Sequence, residues 1–181
     1  MKENSKFTDM RRKDRAVEDD AWIVDFLHQS AYGNIATVNE GQPFITMTVF
    51  VYDPETHALY MHTSRHGRLC ANVGNGSNVC FSVGKVGRML PADTAREFSN
   101  EYESVVIFGK IEIMADLKKA RNMMHLMIDK YFPHLKREVD YREITLPEIQ
   151  EIATYKITID SWSGKRKKAE KDFPGAFVFN S

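Results

Sequence analysis

The sequence predicts a mainly β fold with flanking helices: an antiparallel barrel of six or so strands with helices packed outside. Three observations carry that reading. Short segments rich in Val, Ile, Thr, Phe and Tyr recur through the middle of the chain, separated by turn residues. Neighbouring segments are close enough to pair as hairpins, and no repeated β-α-β alternation appears. Segments near the start and late in the chain place apolar residues three and four apart, as amphipathic helices do.

Taken in order, Glu18 to Ser30 reads as a helix, with Trp22, Ile23, Phe26 and Leu27 on one face and Glu18, Asp19 and Asp20 in its first turn. Gly33 to Val38 and Pro43 to Tyr52 read as two strands joined by the turn Asn39 to Gln42. Asp53 to Glu55 turns the chain into a third strand, Ala58 to Thr63. Gly67 to Val73 reads as a short helix ended by Gly74, Asn75 and Gly76, and Val79 to Val83 as a fourth strand. The polar stretch from Gly84 to about Asn100 reads as a long loop. Ser104 to Met114 is a clear strand, and Asp116 caps a helix running to Tyr131, before Pro133. A polar stretch from His134 to Glu148 precedes the last strand, Ile152 to Ile159.

At 181 residues with 43% hydrophobic content, the chain is sized for one domain with a substantial core. The expected division is a polar arm over residues 1–17, one domain over 18–165 and a tail over 166–181 that packs on a partner subunit. Lys+Arg and Asp+Glu are both 25, so a nucleic-acid binder acting through bulk charge is disfavoured. No apolar run approaches the roughly 18 residues of a membrane span, and the charged N-terminus is unlike a signal peptide. Two cysteines, Cys70 and Cys80, make no disulfide framework, and a cytoplasmic location is the expectation.

Four constellations are candidates for chemistry. The stretch His62-Thr63-Ser64-Arg65-His66-Gly67-Arg68 is a strand end, a polar turn and a helix start. Its hydroxyls and Arg suit a phosphate, although generic strand-to-helix turns look similar. His62, His66 and Cys70 are spaced by four, as metal ligands on one helix face would be, but the strand pattern at His62 and the break at Gly67 oppose that. Ser99 to Ser104 offers hydroxyls without a G-x-S-x-G elbow or a triad order, so hydrolase chemistry is unsupported. The basic run Lys165 to Lys168 and the cluster Arg11, Arg12, Lys13 and Arg15 read as solvated charge or as contacts to something anionic. Walker A and Rossmann fingerprints are absent.

Several stretches together resemble one family. Met10-Arg11-Arg12-Lys13-Asp14-Arg15 looks like the opening of the flavin-binding proteins related to pyridoxamine 5'-phosphate oxidase, and more narrowly of the branch named for 5-nitroimidazole resistance. Gly33 to Val38 with the Pro43 strand, Tyr60-Met61-His62 with Gly67-Arg68, Phe98 to Val105, and Ile157 to Asp160 with Ser163-Gly164-Lys165 follow in the family's order. The resemblance implies an FMN-binding, six-stranded antiparallel split β-barrel that forms a homodimer with the flavin at the subunit interface. It implies Thr46, Met47, Thr48 and Val49 along the flavin ring, and His62, Thr63, Gly67 and Arg68 near the ribityl-phosphate end. Tyr102, Ser104 and Val105 would border the site, with Trp162 and Lys165 reaching it from near the interface. Many relatives carry a basic residue after the Gly-Arg pair, where this chain has Leu69, so Arg68 is the main phosphate cation of the stretch.

The resulting expectation is a flavin-dependent oxidoreductase that reduces small acceptors such as nitroaromatic compounds, using NAD(P)H, with His62 or Tyr102 as proton donor. FAD is an alternative cofactor. Vitamin-B6 oxidase chemistry and a non-catalytic flavin or haem carrier are competing readings, and binding to nucleic acid or membrane is not expected.

Overall fold

The computed structural model describes residues 7–74 and 76–179. Met1 to Lys6 of the expected arm, Asn75 of the turn after the short helix, and Asn180 and Ser181 lie outside them. The described chain is a mainly antiparallel β-sheet with flanking helices, consistent with a split barrel. The strands are β1 (Ala16–Val17), β2 (Gly33–Asn39), β3 (Gln42–Thr48), β4 (Val51–Asp53), β5 (Ala58–Ser64), β6 (Ser77–Leu90), β7 (Ser99–Ile113), β8 (Ile152–Lys167) and β9 (Phe177–Val178). The helices are α1 (Asp20–Gln29), α2 (Arg68–Asn72), α3 (Leu117–Tyr131) and α4 (Leu146–Gln150), with a 3-10 turn at Lys13–Arg15. The strand path is β3-β2-β6-β7-β8-β5-β4, with β1 paired to β8 and β9 to β6. Seven strands therefore make the path where about six were expected.

Both long helices begin where the sequence places a cap. The Asp19 carboxylate accepts from Ala21 N–H, and Asp116 accepts from Lys118 and Lys119 N–H. In the polar stretch before β8, the Thr145 N–H and hydroxyl both donate to Glu148, and α4 starts there.

Four expectations about strands change. Pro43 to Tyr52 is not one strand: β3 and β4 stand at opposite ends of the sheet path. The break falls at Val49 and Phe50 because the Phe50 backbone is bonded by α3 and not by a ladder. Its N–H donates to the Tyr131 hydroxyl (3.0 Å), and its carbonyl accepts from that hydroxyl (2.8 Å) and from Lys130 Nζ (3.0 Å). The loop from Gly84 to Asn100 shortens to 91–98, because β6 and β7 extend as a long hairpin with a bulge between Val86 and Met89. Its charges find partners there: Arg88 grips both oxygens of Glu101 at 3.0 and 2.8 Å. β8 runs on past Ile159 to Lys167, and a bulge at Asp160 interrupts the alternation that would have revealed this. The C-terminal end folds back on its own chain, where β9 pairs with Arg88 and Met89, and Arg88 binds the carbonyls of Ala169, Glu170 and Lys171.

The main core joins Ile23 and Leu27 of α1, Ile35 of β2, Phe81 and Val83 of β6, Val105, Ile107 and Ile111 of β7, Tyr155 and Ile157 of β8, and Leu59 and Met61 of β5. A second cluster places Tyr60 and Ala58 of β5 against Met123, Met124 and Met127 of α3. Strand alternation therefore gives β2, β5, β6, β7 and β8 an inner face, toward the main core, and an outer face.

Candidate functional site

Register pairing decides which expected residues share a face. On β3, Thr46 pairs with Ile35 and Thr48 with Gly33, both inner positions, while Met47 pairs with the outer residue Asn34. Phe44 is likewise inner, opposite Thr37. Val49 lies in the break that follows β3 and is exposed.

The turn after β5 comes to this edge. The Arg68 guanidinium lies over the Phe44 ring, 5.1 Å from its centroid. The Asn72 amide donates to the buried Thr37 hydroxyl at 3.1 Å, which fixes α2 to β2. Gly67 has φ +143°, a conformation essentially reserved for glycine, and a Cβ added there would meet open space. The Ser64 hydroxyl accepts from His66 N–H, which helps to shape the turn. Thr63 points inward, its hydroxyl 3.3 Å from that of Tyr155. Leu69 is buried in the main core, so the position where relatives carry a cation serves packing here. Arg68 of the turn thus stands against Phe44 of β3, whose inner side also carries Thr46 and Thr48; with Thr63 and Gly67 of the turn these make the first set of expected residues. The sequence reading missed Phe44, although its alternation with Thr46 and Thr48 carries the signal.

His62 is not part of that set. Alternation turns it to the face of Tyr60, away from Thr63. Burial lowers its pKa, and its Nδ1 is buried with no partner among the described residues. Cys70 is on α2, and the described residues contain no cluster of His, Cys, Asp and Glu able to hold a metal.

The second set is on the opposite side of the sheet. Tyr102 and Ser104 of β7 are outer residues, paired with Lys167 and Lys165 of β8. Val105 and Trp162 are not with them. Val105 is fully buried in the core, and the inward Trp162 donates its indole N–H to Asp20 at 2.9 Å and packs on Tyr52 and His57. His62 and Tyr102, the two expected proton donors, are therefore not brought together within one chain.

The outer face between the two sets is apolar. Ile45, Ala36, Cys80 and Phe108 form one row across β3, β2, β6 and β7, and Met47, Asn34, Ser82 and Val106 the next. Ile45 and Met47 are each 68% exposed, and Val38 62%. Phe7 of the arm rests on Phe108 at 5.5 Å. A cavity of about 770 Å³ opens there, lined by Phe7, Ala36, Val38, Cys80 and Phe108 among others.

A family model described as pyridoxamine 5'-phosphate oxidase matches residues 19–166. No curated protein matches in sequence. A flavocytochrome from Azotobacter vinelandii is similar in structure, with TM-score 0.77 and 21% identity, over 98% of this chain and 86% of its own. A FAD and heme binding protein from Mycobacterium smegmatis gives 0.75 and 23%, over 86% of this chain and 74% of its own. A provisionally assigned 5-nitroimidazole antibiotic resistance protein from Bacteroides thetaiotaomicron gives 0.65 and 22%, over 83% and 86%. At these identities the likeness carries the fold.

Proposed function

The chain belongs to the pyridoxamine 5'-phosphate oxidase family, and from that premise we propose that it is a flavin-binding oxidoreductase, FMN being the cofactor, that reduces small acceptors such as nitroaromatic compounds. The observation that carries this reading is the first set of residues. A guanidinium, a polar turn and a permissive glycine stand against a strand edge that offers Phe44, Thr46 and Thr48. A flat ligand with a phosphate needs such a pairing of an anion contact with an aromatic and hydroxyl-bearing edge. Arg68 and the Ser64 hydroxyl would hold the phosphate, and Thr46 and Thr48 the ring edge. A bound flavin supplies the electron chemistry, so the protein's part is to orient the acceptor, exclude water and deliver a proton.

The outer apolar face supports a homodimer. Ile45, Met47 and Val38 are exposed on one face, beside Val106 and Phe108, and exposed apolar residues grouped in this way suit contact with a second copy of the chain. In such a dimer the second set, Tyr102, Ser104 and Lys165, would approach the partner's flavin, because it stands on the same outer face. Of the two expected proton donors, Tyr102 fits this arrangement, while His62 is half-buried on the face of Tyr60.

The test begins with the absorption spectrum of the gently purified protein and chromatography of the released cofactor. A stoichiometric flavin peak is expected, and its retention separates FMN from FAD, which is the cofactor in the name of the Mycobacterium smegmatis structure. A colourless protein that binds neither added flavin would refute the proposal. Haem is the second reading, favoured by the likeness to a flavocytochrome, and a Soret band would put it first. Arg68→Gln should weaken flavin binding about 10–100-fold, the equivalent of one charged hydrogen bond, read by fluorescence titration.

A further inference from the structure

The two basic runs are about as far apart in sequence as this chain allows, yet the fold joins them. β1 pairs Ala16 with Lys165 and Val17 with Gly164, so the run ending at Arg15 enters beside the run that begins at Lys165. Both meet at Tyr102. Lys167 is its partner across β7 and β8, and Arg15 reaches it from the arm, with Nη1 3.4 Å from the hydroxyl and the guanidinium 5.9 Å from the ring centroid.

The neighbouring carboxylates are already engaged. Asp14 is gripped by Arg12 through contacts of 2.8 and 2.6 Å, and its pKa is lowered to about 2 by that pairing. Arg15 Nε is 3.9 Å from the same carboxylate. Glu103 takes Lys168 at 3.6 Å, and Arg166 lies over Trp22. Lys167 has no carboxylate partner among the described residues. Its ammonium donates to the Ser99 hydroxyl, and burial, then Arg15 and Arg12, push its pKa down. Strand pairing thus holds Lys167, which has no carboxylate partner among the described residues, near Arg15, which shares Asp14 with Arg12, a state that a bound anion relieves.

We propose that Arg15, Lys167 and the Tyr102 hydroxyl form an anion site, separate from Arg68, that takes the phosphate groups of a nucleotide reductant. Arg15 donates to the Tyr102 hydroxyl, and Lys167, the cross-strand neighbour of Tyr102, donates to the Ser99 hydroxyl, so a guanidinium fork, a point ammonium and a hydroxyl are neighbours, which is the donor set a phosphate accepts. The choice of a nucleotide rests on the oxidoreductase reading, since the reaction needs an electron donor from outside the chain. The anion site itself rests on the geometry alone.

The test is calorimetric titration of the full-length, flavin-loaded protein with inorganic pyrophosphate, then with NADPH. Arg15→Gln combined with Lys167→Gln should weaken pyrophosphate binding about 10–100-fold and raise the KM for NADPH, with flavin content and melting temperature unchanged. Arg68→Gln should leave the pyrophosphate affinity as it is. Absence of pyrophosphate binding in the unaltered protein, equal affinity in the double variant, or loss of flavin together with pyrophosphate would each overturn the separate site. If the protein takes no flavin but the double variant still loses pyrophosphate, the anion site stands and the oxidoreductase reading falls.

Discussion

Replacing Lys130 by Met tests the clamp that separates β3 from β4. The Lys130 ammonium donates to the Leu27 carbonyl at 3.1 Å and the Phe50 carbonyl at 3.0 Å, and sits 4.1 Å from the centre of the Phe50 ring. It therefore ties the end of α1, the strand break and α3 at one point. Methionine keeps most of the volume and loses both donors. Phe50 retains the Tyr131 hydroxyl, whereas Leu27 loses its lysine partner. Two hydrogen bonds from a charged group contribute about 1.5–3 kcal/mol each.

Against them stands the burial of the ammonium, which lowers its pKa from 10.5 to about 8. At about 1.36 kcal/mol per unit that is about 3 kcal/mol, and solvent screening of a half-exposed side chain reduces it to about 1–2 kcal/mol. The net expectation below the folded pKa is a loss of about 1–5 kcal/mol, lowering the melting temperature by roughly 2–4 °C per kcal/mol for a chain of this size. The pH dependence has a definite sign. Between pH 8 and 10.5 the folded protein has released this proton and the unfolded chain still holds it. Stability then rises with pH, so the unaltered protein gains about 1–2 kcal/mol over the variant through the window. Urea melts of both proteins on either side of the window measure the difference. A gap that stays constant or narrows as pH rises would refute the desolvation argument, and a variant as stable as its parent would refute the clamp.

Two further substitutions probe the sheet. At Gly109 an added Cβ would lie 2.2 Å from the Thr158 carbonyl oxygen and 3.0 Å from Ile157 Cγ2. Backbone cannot yield as a flexible side chain does, so Gly109→Ala should cost about 1–3 kcal/mol or more, visible as a lower urea midpoint; an unchanged midpoint would show that the two strands are not that close. Thr154 is buried, and its hydroxyl oxygen has no partner among the described residues. Thr154→Val should therefore be neutral or stabilising by up to about 1 kcal/mol, and a clear fall in melting temperature would show that the hydroxyl is bonded.

The periodic elements were legible in the chain. Trp22, Ile23, Phe26 and Leu27 announce α1, Asp116 announces α3, and the core strands appear as apolar runs, because burial on one face imposes a period on the residues that do it. The misread strands all involve backbone bonded out of pattern. Phe50 is held by Lys130 and Tyr131 from 80 and 81 residues away, and no local signal marks that. The hairpin beyond Gly84 was hidden because its ladder carries charged residues whose partners, Arg88 and Glu101, look like loop residues until they meet. Thr63, Gly67 and Arg68 were legible as a polar strand-to-helix turn with the residue types a phosphate takes, since hydroxyls, a glycine and a guanidinium in one short stretch need no tertiary knowledge. That Arg68 of the turn meets Phe44, that His62 turns away from Thr63, and that Tyr102 sits on the outer face follow only from tertiary pairing. Register is set by pairing between strands distant in sequence, and a shift of one residue reverses every face. The sequence by itself determined the main helices and the core of most strands, the flavoprotein family they resemble and the residue types available for a phosphate. The tertiary structure alone decided which of those residues share a face and that two basic runs meet at Tyr102, because strand pairing and long-range hydrogen bonds, and not local propensity, place them.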